Sequence, residues 1–151
     1  QLRIIAKQSL GRFPFLGWHL SRTGHLLVDR RKIDPRRVFD WANSLPARGL
    51  SLLVFPEGTR SESGQLGPFK GGSLYPAVQA GLPIVPISVA GSRHVMRKGR
   101  LMTCPGEVEL VVHEPIPTAA AAEPDVRAVR ALANRVREII APVVEAEARN
   151  L

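Results

Sequence analysis

Leu50-Ser51-Leu52-Leu53-Val54-Phe55-Pro56-Glu57-Gly58-Thr59-Arg60-Ser61 opens as a nearly unbroken apolar run and closes on proline, glycine, hydroxyls and charge. A short apolar run that ends in turn residues reads as a strand buried on both faces, as in a sheet covered by helices. From Pro56 to Gly72 the glycines, serines and charges read as a loop. In an α/β sheet, ligands collect beyond the carboxyl ends of the strands, so this one passage fixes both the layer architecture and the place to look for chemistry.

The same pattern recurs on both sides. Upstream, residues 2 to 6 read as a strand, and Ser9 to about Thr23 as a helix interrupted by Pro14. Leu26-Leu27-Val28 reads as a second buried strand, ended by Asp29, Arg30, Arg31 and Lys32. Asp34 as N-cap, Pro35 at the first helical position and Gly49 beyond the end mark an amphipathic helix carrying Val38, Trp41, Ala42 and Leu45. Downstream come a short helix from Ser73 to Ala80 closed by Gly81, a strand from Ile84 to Ala90, a basic loop through Arg100 and a strand from Val108 to Val112. From Asp125, apolar residues at helical spacing predict a terminal helix that packs Val126, Val129, Val136 and Ile139 on the sheet. Its arginines Arg127, Arg130, Arg135, Arg137 and Arg149 are expected on the wet face, and Pro142 marks a kink or late break. The expected fold is α/β, a mixed and largely parallel sheet flanked by helices.

The 151 residues suit one domain with a real core, and 44% apolar with 23% charged residues lies in the ordinary globular range. A net charge of +8 favours anionic partners: nucleic acid, an anionic membrane face or phosphorylated small molecules. Nucleic acid finds no support beyond charge, because neither an aromatic stacking platform nor a helix-turn-helix pattern is present. The single cysteine, Cys104, forms no internal disulfide, and the four histidines lack metal-ligand spacing, so neither metal nor cofactor is expected. No apolar run reaches membrane-spanning length.

Two strand ends concentrate chemistry, Val28-Asp29-Arg30-Arg31 and Phe55-Pro56-Glu57-Gly58-Thr59-Arg60-Ser61. An arginine fork matches a phosphate with parallel charge-assisted hydrogen bonds, Gly58 admits close backbone approach, and Thr59 and Ser61 add hydroxyl donors. Phe69-Lys70-Gly71-Gly72 places a lysine beside permissive backbone ahead of a helix. Arg30, Arg60 and Lys70 are therefore expected to converge on one phosphate. The cluster Arg93, His94, Arg97, Lys98 and Arg100 reads either as a solvated loop or as a basic patch that rests on anionic headgroups.

The string Phe55-Pro56-Glu57-Gly58-Thr59-Arg60-Ser61 resembles the third conserved block of the glycerolipid acyltransferases, of the PlsC-like, lysophosphatidic acid acyltransferase type. Gly24-His25-Leu26-Leu27-Val28-Asp29-Arg30 is similar to the second block and Ile84-Val85-Pro86-Ile87 to the fourth, in the family's order and spacing. The resemblance covers roughly residues 1 to 115 and implies a glycerol-phosphate acyltransferase-like fold over a single domain, 1–151. It implies transfer of an acyl group from acyl-CoA or an acyl-carrier protein to the free hydroxyl of lysophosphatidic acid, at the cytoplasmic face of a membrane. It places Arg30, Glu57, Gly58 and Arg60 around the acceptor's phosphate. A carboxylate repels phosphate, so Glu57 is expected to orient an arginine or the loop backbone instead.

The family's first block, a histidine followed five positions later by an aspartate, has no counterpart here. Five residues beyond His19, His25, His94 and His113 stand Gly24, Arg30, Gly99 and Thr118. The chain begins at Gln1 inside an apolar run, which reads as an N-terminal truncation that leaves the block upstream. Two expectations follow: a fragment that binds without catalysing, or a non-catalytic module for phospholipid headgroups or anionic membranes. His25, at the start of a buried strand, is expected to be a hydrogen-bonded edge residue and not a substitute base.

Overall fold

The computed structural model describes residues 1–29, 32, 34–61, 63–96, 99, 102–121 and 123–148, and statements of absence below refer to these. Arg30, Arg31, Glu62, Arg97, Lys98, Arg100 and Arg149 lie outside them. The chain divides into two compact units, Gln1–Val54 and Phe55–Leu151.

The first unit is built on a parallel three-stranded sheet in the order β2-β1-β3, with β1 at Leu2–Lys7, β2 at Leu26–Val28 and β3 at Ser51–Leu53. The central strand divides its length between its neighbours: Leu2, Arg3 and Ile4 stand opposite Ser51, Leu52 and Leu53, and Ile5, Ala6 and Lys7 opposite Leu26, Leu27 and Val28. Pro14 does not interrupt a long helix. It starts one, α1 at Pro14–Arg22, after a 3-10 turn at Gln8–Arg12, because its missing N–H falls where a helix has no partner for it. Asp34 caps α2 (Pro35–Ser44) as its sequence requires, its Oδ1 accepting from Arg36 N–H at 3.0 Å. β3 is shorter than its apolar run: it pairs with β1 as far as Leu53, and Pro56 has no N–H with which to carry a ladder further.

In the second unit, β4 (Ile87–Ala90) and β5 (Glu109–Val112) pair antiparallel, so the structure as a whole is mixed, with the parallel strands in the first unit. The apolar stretch from Ile84 is broken at Pro86, leaving an isolated bridge between Ile84 and Ile116 ahead of β4. A 3-10 turn at Gly71–Ser73 leads into α3 (Tyr75–Ala80), which Gly81 ends at φ +65 with its N–H on Val78 O at 3.2 Å. The short helix α4 (Ser92–Val95) occupies the start of the basic stretch. α5 runs Val126–Ala148 with Pro142 inside it.

The terminal helix corrects two expectations. Val129, Ala133, Val136 and Ile140 are buried, whereas Val126 is 70% exposed in the first turn and Ile139 is only half-buried. The spacing places Ala133 and Ile140 on the stripe that Val129 and Val136 define, and Val126 lies at the fraying end. Arg137 is not on a wet face: it is half-buried and bonded to a loop 70 residues away in sequence.

Ser88, fully buried on β4, joins three elements. Its hydroxyl donates to Ile140 O at 3.3 Å and accepts from His113 Nε2–H at 2.8 Å.

Candidate phosphate site

The Phe55–Ser61 block begins with a tight turn. Pro56 presets the first corner, and Gly58 N–H closes it on Phe55 O at 3.0 Å. Glu57 has negative φ, so the turn does not follow the type II pattern, and Gly58 carries the left-handed conformation at φ +71. Lys70 N–H then donates to Pro56 O at 2.9 Å, folding the far end of the loop back onto its start. The lysine side chain crosses the glycine: a Cβ at Gly58 would stand 3.0 Å from Lys70 Nζ and 3.5 Å from its Cε. A side chain at Gly58 would ask the ammonium to give way by a few tenths of an ångström.

Glu57 is committed to the loop backbone, as its charge demanded. Its Oε1 accepts from Gly67 N–H at 2.6 Å. On the other side of that peptide, Arg137 Nε donates to Gly67 O at 3.1 Å and Nη2 to Leu66 O at 2.9 Å. The loop is therefore held from within by Glu57 and from α5 by a guanidinium fork, with both charges spent on backbone groups. Farther along, Ser61 Oγ accepts from Gly64 N–H at 2.9 Å, and the Arg93 side chain lies against Gly64, with Cδ 3.2 Å from where a Cβ would stand. The Ser61 hydroxyl shapes the loop.

Thr59 and Arg60 are exposed on the tip that this frame supports. Two residues span at most about 7 Å, so the backbone of Arg60 lies within an arginine's own length of the Gly58 and Lys70 pair. Glu57, Gly58 and Lys70 are thus brought together, with Thr59 and Arg60 adjoining. Arg30 belongs to the residues outside the description.

Reading the sequence missed one residue that braces the loop. Arg137 stands among three other arginines on α5, and helical spacing alone gives no sign that it turns inward.

Two of the four histidines are hydrogen-bonded within the fold. His25 Nδ1 accepts from Ile4 N–H at 3.1 Å, which ties β1 to the start of β2. Burial, then the charge of Arg3, then His19 lower its pKa below 6.5, favouring the neutral ring that this bond needs. The His113 and Ser88 pair has the composition of a nucleophile and its base, but a hydroxyl with no solvent exposure meets no substrate. No cluster of three or more candidate metal ligands occurs among the described residues.

The sequence profile of the Acyltransferase family matches residues 1–90. The chain belongs to the acyltransferase family. This acyltransferase-family chain is 36% identical over 118 residues to the chloroplastic 1-acyl-sn-glycerol-3-phosphate acyltransferase of Brassica napus, covering 76% of the chain and 34% of that protein. It is 33% identical over 138 residues to the 1-acyl-sn-glycerol-3-phosphate acyltransferase of Escherichia coli, covering 90% of the chain and 54% of the relative. The crystal structure of the 1-acyl-sn-glycerophosphate (LPA) acyltransferase PlsC from Thermotoga maritima superposes with a TM-score of 0.78 at 31% identity, over 95% of the chain and 56% of that protein. The chain spans between about a third and just over half of the length of these relatives. The whole of the Phe55–Ser61 block falls inside the family match.

Proposed function

We propose that this chain holds the acceptor phosphate of a 1-acylglycerol-3-phosphate O-acyltransferase. In the reaction, the free hydroxyl of lysophosphatidic acid attacks the thioester carbonyl of acyl-CoA or an acyl-carrier protein. The carbon–sulfur bond breaks, an ester forms, and the acceptor's proton passes to the departing thiolate. Arg60 and Lys70 supply the charge that grips the phosphate, with Arg30 as a third cation; Gly58 and Thr59 bring backbone and a hydroxyl to it, and Glu57 keeps the loop in shape. The whole of 1–151 acts as one acyltransferase domain at the cytoplasmic face of a membrane.

The observation that carries this reading is the braced turn: a left-handed Gly58 under the Lys70 ammonium, with Glu57 and Arg137 spent on the loop behind it. A site whose charges are pre-positioned in this way gains more from an anion than flexible surface cations do. The structural use of His25 and His113 favours a second reading for the 151-residue chain by itself, a headgroup-binding module without turnover.

Two measurements on the 151-residue chain test the pair. Short-chain lysophosphatidate is expected to bind and the matching monoacylglycerol, which lacks the phosphate, is not; equal binding of both would remove the cradle. Thiol release from acyl-CoA in the presence of acceptor is expected to stay at the uncatalysed rate, since a general base typically contributes about 10² to 10⁴ in rate. Enzyme-like release would place a working base inside residues 1–151.

A further inference from the structure

We propose that α1 is the face by which this protein lies on an anionic lipid surface. Phe15 and Trp18 enter the headgroup boundary, and Arg12 and Arg22 meet the lipid phosphates. The inference rests on the membrane part of the reading above and is independent of the braced loop of Glu57, Gly58 and Lys70, which belongs to the other unit.

The first observation is which residues α1 buries. Only Gly17 and Leu20 are buried, and a Cβ at Gly17 would collide with Gly11 O, so that side of the helix is pressed against the preceding 3-10 turn. Phe15, Trp18 and Arg22 fall at helical spacing on the opposite side. Phe15 is 90% exposed and Trp18 64%, with Phe13 (59%) and Leu16 (44%) flanking them. Exposed aromatic residues gathered on one short element are not ordinary surface scatter, which consists of single apolar residues.

The second observation is charge, and it selects the occupant. Residues 1–54 hold ten lysines and arginines against three acidic residues, whereas residues 55–151 hold eleven against ten. Nearly all of the net charge of +8 therefore travels with the unit that carries α1. Arg22 lies over the Trp18 ring at 5.3 Å from its centroid, which places a cation at the rim of the apolar face. Tryptophan and phenylalanine bordered by arginine form the composition that settles at a bilayer interface, apolar body inward and charge at headgroup level. A protein partner would need acidic complementarity and shape; a lipid surface needs only charge and depth. No described helix is long and apolar enough to cross a membrane, so the contact is one of lying on the surface.

The test uses the protein with Trp18 as its only tryptophan, in a Trp41→Phe background, mixed with vesicles of phosphatidylglycerol and phosphatidylcholine carrying brominated acyl chains. Trp18 emission is expected to shift to the blue and to be quenched by the bromines, and pure phosphatidylcholine vesicles are expected to give neither effect. Phe15→Ser should lower vesicle partitioning about tenfold or more, because it removes an aromatic side chain from the buried set while leaving a position that packs against nothing. Arg12→Gln with Arg22→Gln should abolish the preference for the anionic lipid. Vesicle binding without any change at Trp18 would assign another face. Emission that is already blue and shielded from acrylamide before lipid is added would show the face covered by protein. Equal quenching by neutral and anionic vesicles would remove the charge argument. Each of these three results overturns the proposal, and none of them bears on lysophosphatidate binding by the second unit.

Discussion

Gly58 is the residue on which the cradle turns. A side chain there meets a left-handed backbone that costs about 1–2 kcal/mol for other residues, and it nudges the flexible tip of Lys70. Gly58→Ala is therefore expected to lower stability by about that amount in denaturant titration and to weaken lysophosphatidate binding as Lys70 is displaced. Lys70→Ala should weaken binding at unchanged stability, so the two variants separate shape from charge. Gly58 was legible in the sequence as a place for close approach, and a bond from Glu57 to the loop backbone was one of the two roles its charge suggested. Arg137 was not legible, because nothing local distinguishes one arginine of an amphipathic helix from the next when its partner lies 70 residues away.

α5 acts on the site through that arginine. Arg137→Ala removes two charged hydrogen bonds to the carbonyls of Leu66 and Gly67, and a half-buried bond of this kind contributes about 1.5 kcal/mol. Stability should fall by about 1–3 kcal/mol, and lysophosphatidate affinity should fall with it although Arg137 touches no ligand. Arg137→Lys should recover only part of either, since an ammonium cannot reproduce the fork. β1 and β2 carry a different dependence. His25 is protonated more readily in the unfolded chain than in the fold, so its contribution is complete above pH 6.5 and is lost as pH falls below it. His25→Asn, which keeps an acceptor for Ile4 N–H, should flatten the decline in thermal midpoint between about pH 7 and 5 in a pH series of melting curves. The helices and strands themselves were readable from caps and apolar runs. The early end of β3 follows from how far β1 pairs with it, and the break in the β4 run was set by Pro86, whose effect on pairing depends on neighbours that composition does not reveal.

Across the molecule, the basic charge is divided unequally between the units. The basic excess and the aromatic face of α1 belong to residues 1–54, and the braced phosphate loop belongs to residues 55–151. The imbalance of charge is a count on the sequence, whereas the exposed face of α1 becomes visible only through the burial of Gly17 and Leu20 on its other side. The central claim is that Arg60 and Lys70 grip one anion, and a double-mutant cycle on short-chain lysophosphatidate binding reaches it most directly. Each single substitution, Arg60→Ala and Lys70→Ala, is expected to cost about 1.5–3 kcal/mol of affinity, and the double substitution is expected to differ from their sum by at least about 0.5 kcal/mol. Strictly additive losses, or affinities unchanged in both single variants, would contradict a shared phosphate.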